Sequence, residues 1–149
     1  MKSYQKIALF FLCLLVLLQF FTPSKSNDSD LDVSDFIHQA MPSKEVFDIL
    51  SVSCFDCHSN HTNYPWYASI APASFFLEYH IKEGKEHLDF SKWNSYSLKK
   101  KSHKLDEEDE EVHEGEMPLF SYTLLHPEAK LTKDEKAKLS EWAIRLKHF

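Results

Sequence analysis

The five residues Cys54-Phe55-Asp56-Cys57-His58 constrain this chain more than any other stretch. Two thiols three positions apart, followed at once by an imidazole, are what covalent attachment of a c-type haem requires: the thiols add across the two vinyl groups and the histidine coordinates the iron. The rest of the chain must then supply a pocket, closed or open, for that group. C-x-x-C also serves thiol-disulfide exchange and zinc. A redox dithiol would follow a strand in a βαβ pattern and a zinc site would need a further ligand pair, and the sequence suggests neither.

The first residues read as an export signal. Lys2 and Lys6 precede an apolar run from Ile7 to Leu18, extended past Gln19 by Phe20 and Phe21, and the chain turns polar at Thr22-Pro23-Ser24-Lys25-Ser26. The run is short for a membrane span of about 20 residues and slightly long for a cleaved signal. Two outcomes are expected, cleavage near Ser24 to Asn27 or retention as an N-terminal anchor. Cys13 reads as apolar filler within it. Residues 1–26 are thus a signal peptide or membrane anchor, 27–34 a polar linker and 35–149 the globular domain, exported to the periplasm either soluble or tethered to the inner membrane.

Beyond the leader, Cys54 and Cys57 are the only cysteines, delivered to a compartment where free thiols do not persist. Loss of the leader would remove Lys2, Lys6 and Lys25 and no acid, taking the net charge from −6 to −9. An acidic surface argues against nucleic acid or anionic lipid as a partner and fits docking onto a basic redox protein. Two glycines in the chain argue against phosphate loops and a dinucleotide fold.

Helical signals dominate the rest. Asp35 to Met41 gives a weak pattern closed by Pro42. Ser43 is a good N-cap for a helix whose Phe47, Leu50 and Cys54 share a face and which runs into the C-x-x-C-H motif. Ser59 to Ile70 reads as a structured loop. Pro72 opens a second helix with Phe75/Tyr79, Phe76/His80 and Leu77/Ile81 pairs, for which Gly84 is the expected stop. Ser95 to Val112 reads as a long solvated helix with a thin stripe at Leu98, Leu105 and Val112, supported by pairs such as Lys104/Glu108. Gly115-Glu116-Met117-Pro118 breaks it. Thr132 to Glu135 forms a capping box for a last helix with Leu139, Trp142, Ala143 and Leu146 on one face. Four or five helices and no strand make the expected fold all-α.

Given haem, His58 is the proximal ligand, and the opposite face is open to several candidates. Met117, in a loop beside Pro118, is the leading one, because His/Met ligation is the usual electron-transfer arrangement. His80 and His113 are the rivals; His61 is too close to His58 to cross over. Tyr64, Trp66, Tyr67 and Trp93 are candidates for the pocket wall, with hydroxyl or indole groups able to bond a propionate.

At this point the chain resembles class I cytochrome c in outline: C-x-x-C-H after a short helix, a Met-Pro loop, and a final helix bearing a tryptophan. The run from Cys54 through Ser59-Asn60-His61-Thr62-Asn63-Tyr64-Pro65-Trp66-Tyr67 resembles the small bacterial haem-binding-domain family. The likeness continues through His80-Ile81, Leu88-x-Phe90-Ser91-x-Trp93 and Gly115-Glu116-Met117-Pro118 to Leu131-Thr132. It implies a cytochrome c-like bundle around one covalent haem c with its iron, attached at Cys54 and Cys57 with His58 proximal. The expected function is single-electron transfer without catalysis. The alternatives are a five-coordinate haem sensor or peroxidase-like enzyme with His80, His113 or His61 as distal polar group, and a C-x-x-C dithiol protein without haem.

Overall fold

The computed structural model describes residues 2–23, 25, 27 and 33–147. Ser24 and Ser26 of the expected signal exit, and most of the expected 27–34 linker, lie outside the described residues. Eight α-helices and no strand occur among the described residues, so the architecture is all-α as expected. The helix count exceeds the expected four or five because three of them, α2 (Ser34–Ala40), α4 (Phe55–His58) and α7 (Phe120–Thr123), are of seven residues or fewer and carry too few turns to show a period.

Helix α1 (Ser3–Leu18), prolonged by a 3₁₀ turn over Gln19–Phe21, buries no residue. The whole 19-residue segment is apolar and long enough to cross a membrane, a property it shares with a signal sequence. Gln19 ties its end to the domain: its side-chain amide donates to the Ala71 carbonyl (3.1 Å) and accepts from the Ala71 N–H (3.0 Å).

The domain proper begins with α2 (Ser34–Ala40), whose Phe36 is the centre of the core. The rings of Phe55, Phe90, Trp93 and Trp142 surround it at 4.6–6.3 Å, mostly edge to face. The Trp142 indole N–H donates to the Ala40 carbonyl, so the last helix is fastened to this first one. Helix α3 (Lys44–Ser53) is capped by Ser43, whose hydroxyl accepts from the Val46 N–H, and buries Val46, Ile49 and Leu50. It runs into the single turn α4 (Phe55–His58).

Two segments fold back over this centre. Helix α5 (Ala73–His87) follows Pro72, and the 3₁₀ segment Phe90–Ser95 buries Phe90 and Trp93. Gly84 does not stop α5; it sits inside the helix against α4, where an added Cβ would stand 2.9 Å from the Cys57 carbonyl oxygen. Helix α6 (Leu98–Glu114) starts from Ser97 and buries Leu105 and Val112, while Leu98 is 80 % exposed. The expected Lys104/Glu108 pair is replaced: the buried Lys104 lies with its ammonium 5.3 Å from the Tyr96 ring centroid. After the short α7 (Phe120–Thr123), helix α8 (Lys133–Lys147) opens on the expected capping box, with Thr132 Oγ1 accepting from Glu135 N–H and Glu135 Oε2 accepting from Thr132 N–H.

Candidate functional site

The turn that ends α3 creates the site. Cys54 leaves the helical conformation (φ −125°), and its carbonyl accepts from the N–H groups of Cys57 and His58, winding α4 so that Cys54 and Cys57 lie one turn apart. Behind them the polar loop is pinned group by group. Ser59 Oγ donates to the Phe55 carbonyl and accepts from the His61 N–H, and Thr62 Oγ1 donates to the Asp56 carbonyl. The Asp56 carboxylate accepts from the Asn63 N–H and from the Tyr122 hydroxyl, 2.7 Å away, tying α7 across the motif. Tyr122 in turn stacks on His126, whose Nε2 is 2.9 Å from the Tyr67 hydroxyl. The burial of the Tyr122 hydroxyl, and then its bond to Asp56, push its pKa far up, so it stays a donor.

Cys54, Cys57 and His58 face a cavity of about 540 Å³, within the ~300–1,000 Å³ usual for cofactor sites. His80, Gly84, His87 and Leu88 of the α5 side, Glu108 and Val112 of α6, Met117, Pro118 and Leu119 of the following loop, and Tyr122 complete much of the wall. Met117 reaches it because Gly115 ends α6 at φ +85°, a left-handed conformation suited to glycine, and the N–H groups of Gly115, Glu116 and Met117 all turn back to the Glu111 carbonyl.

The chemistry of these donors suits a haem. His58 Nδ1 is 2.9 Å from the Leu88 carbonyl, which can only accept; Nδ1 therefore carries the proton and Nε2 keeps a free lone pair. Burial, outweighing the neighbouring carbonyls, lowers the His58 pKa and keeps the ring neutral. His80 is arranged alike, with Nδ1 2.8 Å from the Phe76 carbonyl. Burial raises the Cys54 thiol, helped by Glu108 and Cys57, and pushes Cys57 up to about 11. Reactive dithiols lower one thiol instead. Among the described residues no three His, Cys, Asp or Glu side chains converge as a cation site requires.

Of the residues named from sequence, Cys54, Cys57, His58, His80 and Met117 share the cavity. His113 is not among its lining residues; it is exposed on α6, its Nδ1 3.1 Å from the Asp109 carbonyl. The four aromatics do not line it either. Trp93 is 2 % exposed, in the core beneath Phe36; Trp66 is 78 % exposed; Tyr67 bonds His126; and Tyr64 lines a second cleft on the other side of α5. An aromatic loop after the motif suggests a wall, but its bonds to Asp56 and Ser59 and the packing of Tyr64 and Tyr67 on the Ala68, Leu77 and Ile81 cluster, which Cys57 also touches, keep these rings out of the cavity lining. His87, one of the histidines available as a rival ligand, lines the cavity too, whereas Glu108, Gly84 and Tyr122 were missed. Gly84 carried a signal only in being one of two glycines in the chain; its place inside α5 and its close approach to Cys57 come from the fold.

Searches of characterised proteins and of solved structures return no match. A family model described as a haem-binding domain matches residues 13–145, nearly the whole chain. The all-helical fold, the neutral histidine beside a thiol pair and that match agree, and the chain belongs to the haem-binding domain family.

Proposed function

We propose that the protein is an exported single-haem c-type electron carrier, attached through Cys54 and Cys57, with His58 as proximal and Met117 as distal ligand. The observation that carries this is that all four are wall residues of one cavity. Bound there, the haem supplies a one-electron couple. The protein's own part is to hold it. The Leu88 carbonyl fixes the His58 ring, the Gly115 turn presents the Met117 thioether, and Leu88, Phe90, Val112 and Leu119 exclude water. Glu107, Glu110, Glu111 and Glu114 border the same cavity from α6, which favours a basic redox partner. The apolar α1 supports export, as a signal or as an anchor.

Purified ferric holoprotein tests the ligand set. A weak near-infrared sulfur-to-iron band is expected in the wild type and is expected to vanish in Met117→Ala; its absence from the wild type would sink the Met117 assignment. Intact mass reads covalent attachment separately, and an unmodified chain from a haem-attaching host would sink the c-type reading. A second reading is favoured by one observation: His80 lines the cavity with its Nε2 unengaged by the Phe76 bond. In it His80 replaces Met117 as ligand or serves as the distal polar group of a five-coordinate sensor or peroxidase-like site. Rapid CO binding to the ferrous protein, with peroxide turnover lost in His80→Ala, would establish the five-coordinate form, and a six-coordinate low-spin spectrum without the sulfur band, changed by His80→Ala, would establish His80 as ligand.

A further inference from the structure

A second cleft, of about 460 Å³, lies on the opposite side of α5 from the haem cavity. Its floor is apolar, formed by Ala68, Leu77 and Ile81, which pack together as a small core of their own. Four lysines, Lys25, Lys82, Lys85 and Lys92, border it in a chain whose net charge is −6. Glu78 and Glu86 border it too, and Lys92 pairs with Asp89 at 3.1 Å; the cleft keeps a positive balance after all three acids are counted. At its base the Ser74 hydroxyl is shut away from solvent, in a residue 3 % exposed, with no hydrogen-bond partner. Buried hydroxyls are nearly always bonded, so an unpaired one in a residue that lines a cationic cleft points to an acceptor supplied by a ligand.

The position of the cleft says which ligand. Pro23 and Lys25, directly after the apolar helix, form part of its rim. The Lys25 ammonium donates to Ser69 Oγ at 2.7 Å and Gln19 brackets Ala71, so the end of that helix is held against the segment before α5. On the pieces so joined Trp66, a residue type that settles at a bilayer interface, remains exposed beside the exposed apolar Phe20, Phe21 and Ile70. From these we infer that the cleft binds the headgroup phosphate of an anionic phospholipid at the membrane surface where α1 emerges. The lysines would surround the phosphate, Ser74 would donate to it after a χ1 rotation uncovers its hydroxyl, and Leu77 and Ile81 would meet the glycerol and first methylenes. The acidic balance of the whole chain argues against anionic lipid, and this cleft is the local exception. The inference rests on α1 remaining attached as an anchor; it is independent of the iron's ligands.

The full chain, reconstituted in nanodiscs holding equal amounts of phosphatidylglycerol and phosphatidylcholine and released for native mass spectrometry, provides the test. Intact mass first reads whether α1 is present, and its loss from the membrane-bound protein would overturn the proposal. The wild type is expected to retain phosphatidylglycerol in preference. Lys25→Glu and Lys82→Glu are each expected to reduce that preference about five-fold or more, since a lysine near an anionic surface is worth roughly that factor. Ser74→Ala, which removes an unpaired hydroxyl and should fold at least as well, is expected to lower it by a few-fold. Lys44→Glu, on the exposed face of α3, should change nothing. Equal retention of the two lipids by the wild type, or an equal loss in Lys44→Glu, would overturn the proposal. Displacement of phosphatidylglycerol by millimolar inorganic phosphate would also overturn it, as a free-phosphate site.

Discussion

Gly84 is where the thiol-bearing turn and α5 come closest, and a single methyl group is the measure of it. A Cβ there would meet the Cys57 carbonyl at 2.9 Å and the Cys57 Cβ at 3.3 Å. Gly84→Ala is expected to destabilise the domain by about 1–3 kcal/mol, the usual cost of overpacking between backbones, although alanine is the better helix former. Urea unfolding should show it as a lower midpoint with an unchanged slope. Glu108 makes an opposite case. Burial, then the charge of Asp109, pushes its carboxyl from 4.5 up to about 7, and its Oε2 has no hydrogen-bond partner. Between those two values the unfolded chain has lost this proton and the folded chain still holds it. Stability therefore falls as pH rises through the window, and the deficit is complete above it. Glu108→Gln in the apoprotein is expected to flatten this slope. It should be more stable than the wild type by at most roughly 2–3 kcal/mol near pH 8, with little difference near pH 4. Parallel pH profiles of the two proteins would contradict the assignment.

At the scale of elements, the ends of helices set the positions that matter. Met41 ends α2 in a left-handed conformation (φ 39°) although it carries a side chain, one that is 78 % exposed and so contributes little packing. Met41→Gly is expected to stabilise the domain by about 1 kcal/mol, relieving a strain that glycine does not feel; thermal unfolding would register it as a raised midpoint. The sequence was legible where an element carries its own punctuation. Ser43 and the Thr132/Glu135 box announce α3 and α8, and the period of Leu139, Trp142 and Ala143 names the buried face of the last helix. It was illegible where long-range contact decides. Phe36 sits in seven residues with little pattern, yet four aromatic rings from three distant segments make it the core's centre. The site divides in the same way. Cys54, Cys57 and His58 are adjacent in the chain and could be read directly. Met117 was legible through its Pro-flanked loop. Glu108 and Tyr122 join the cavity only because α6 and α7 fold over it, and no local spacing encodes that.

For the molecule as a whole, charge and topology decide how the proposed carrier meets others. With glutamates of α6 beside the cavity, association with a basic redox protein is expected to be steered electrostatically. Its rate constant should fall at least ten-fold between about 0.01 and 0.5 M salt, as the screening length shrinks from roughly 30 Å to a few ångström. Stopped-flow reduction at several ionic strengths would measure this, and a salt-independent rate would remove the acidic rim from the docking site. Helix α5 has a wider consequence, because it is the partition between the two hollows of the fold. His80, Gly84 and His87 serve one side and Ser74, Leu77 and Lys82 the other. One residue inserted or deleted in its middle would rotate everything beyond by about 100° and misalign both sides together. This helix can change its letters but not its length, so relatives with either hollow intact should share the spacing from Ser74 to His87 without gaps.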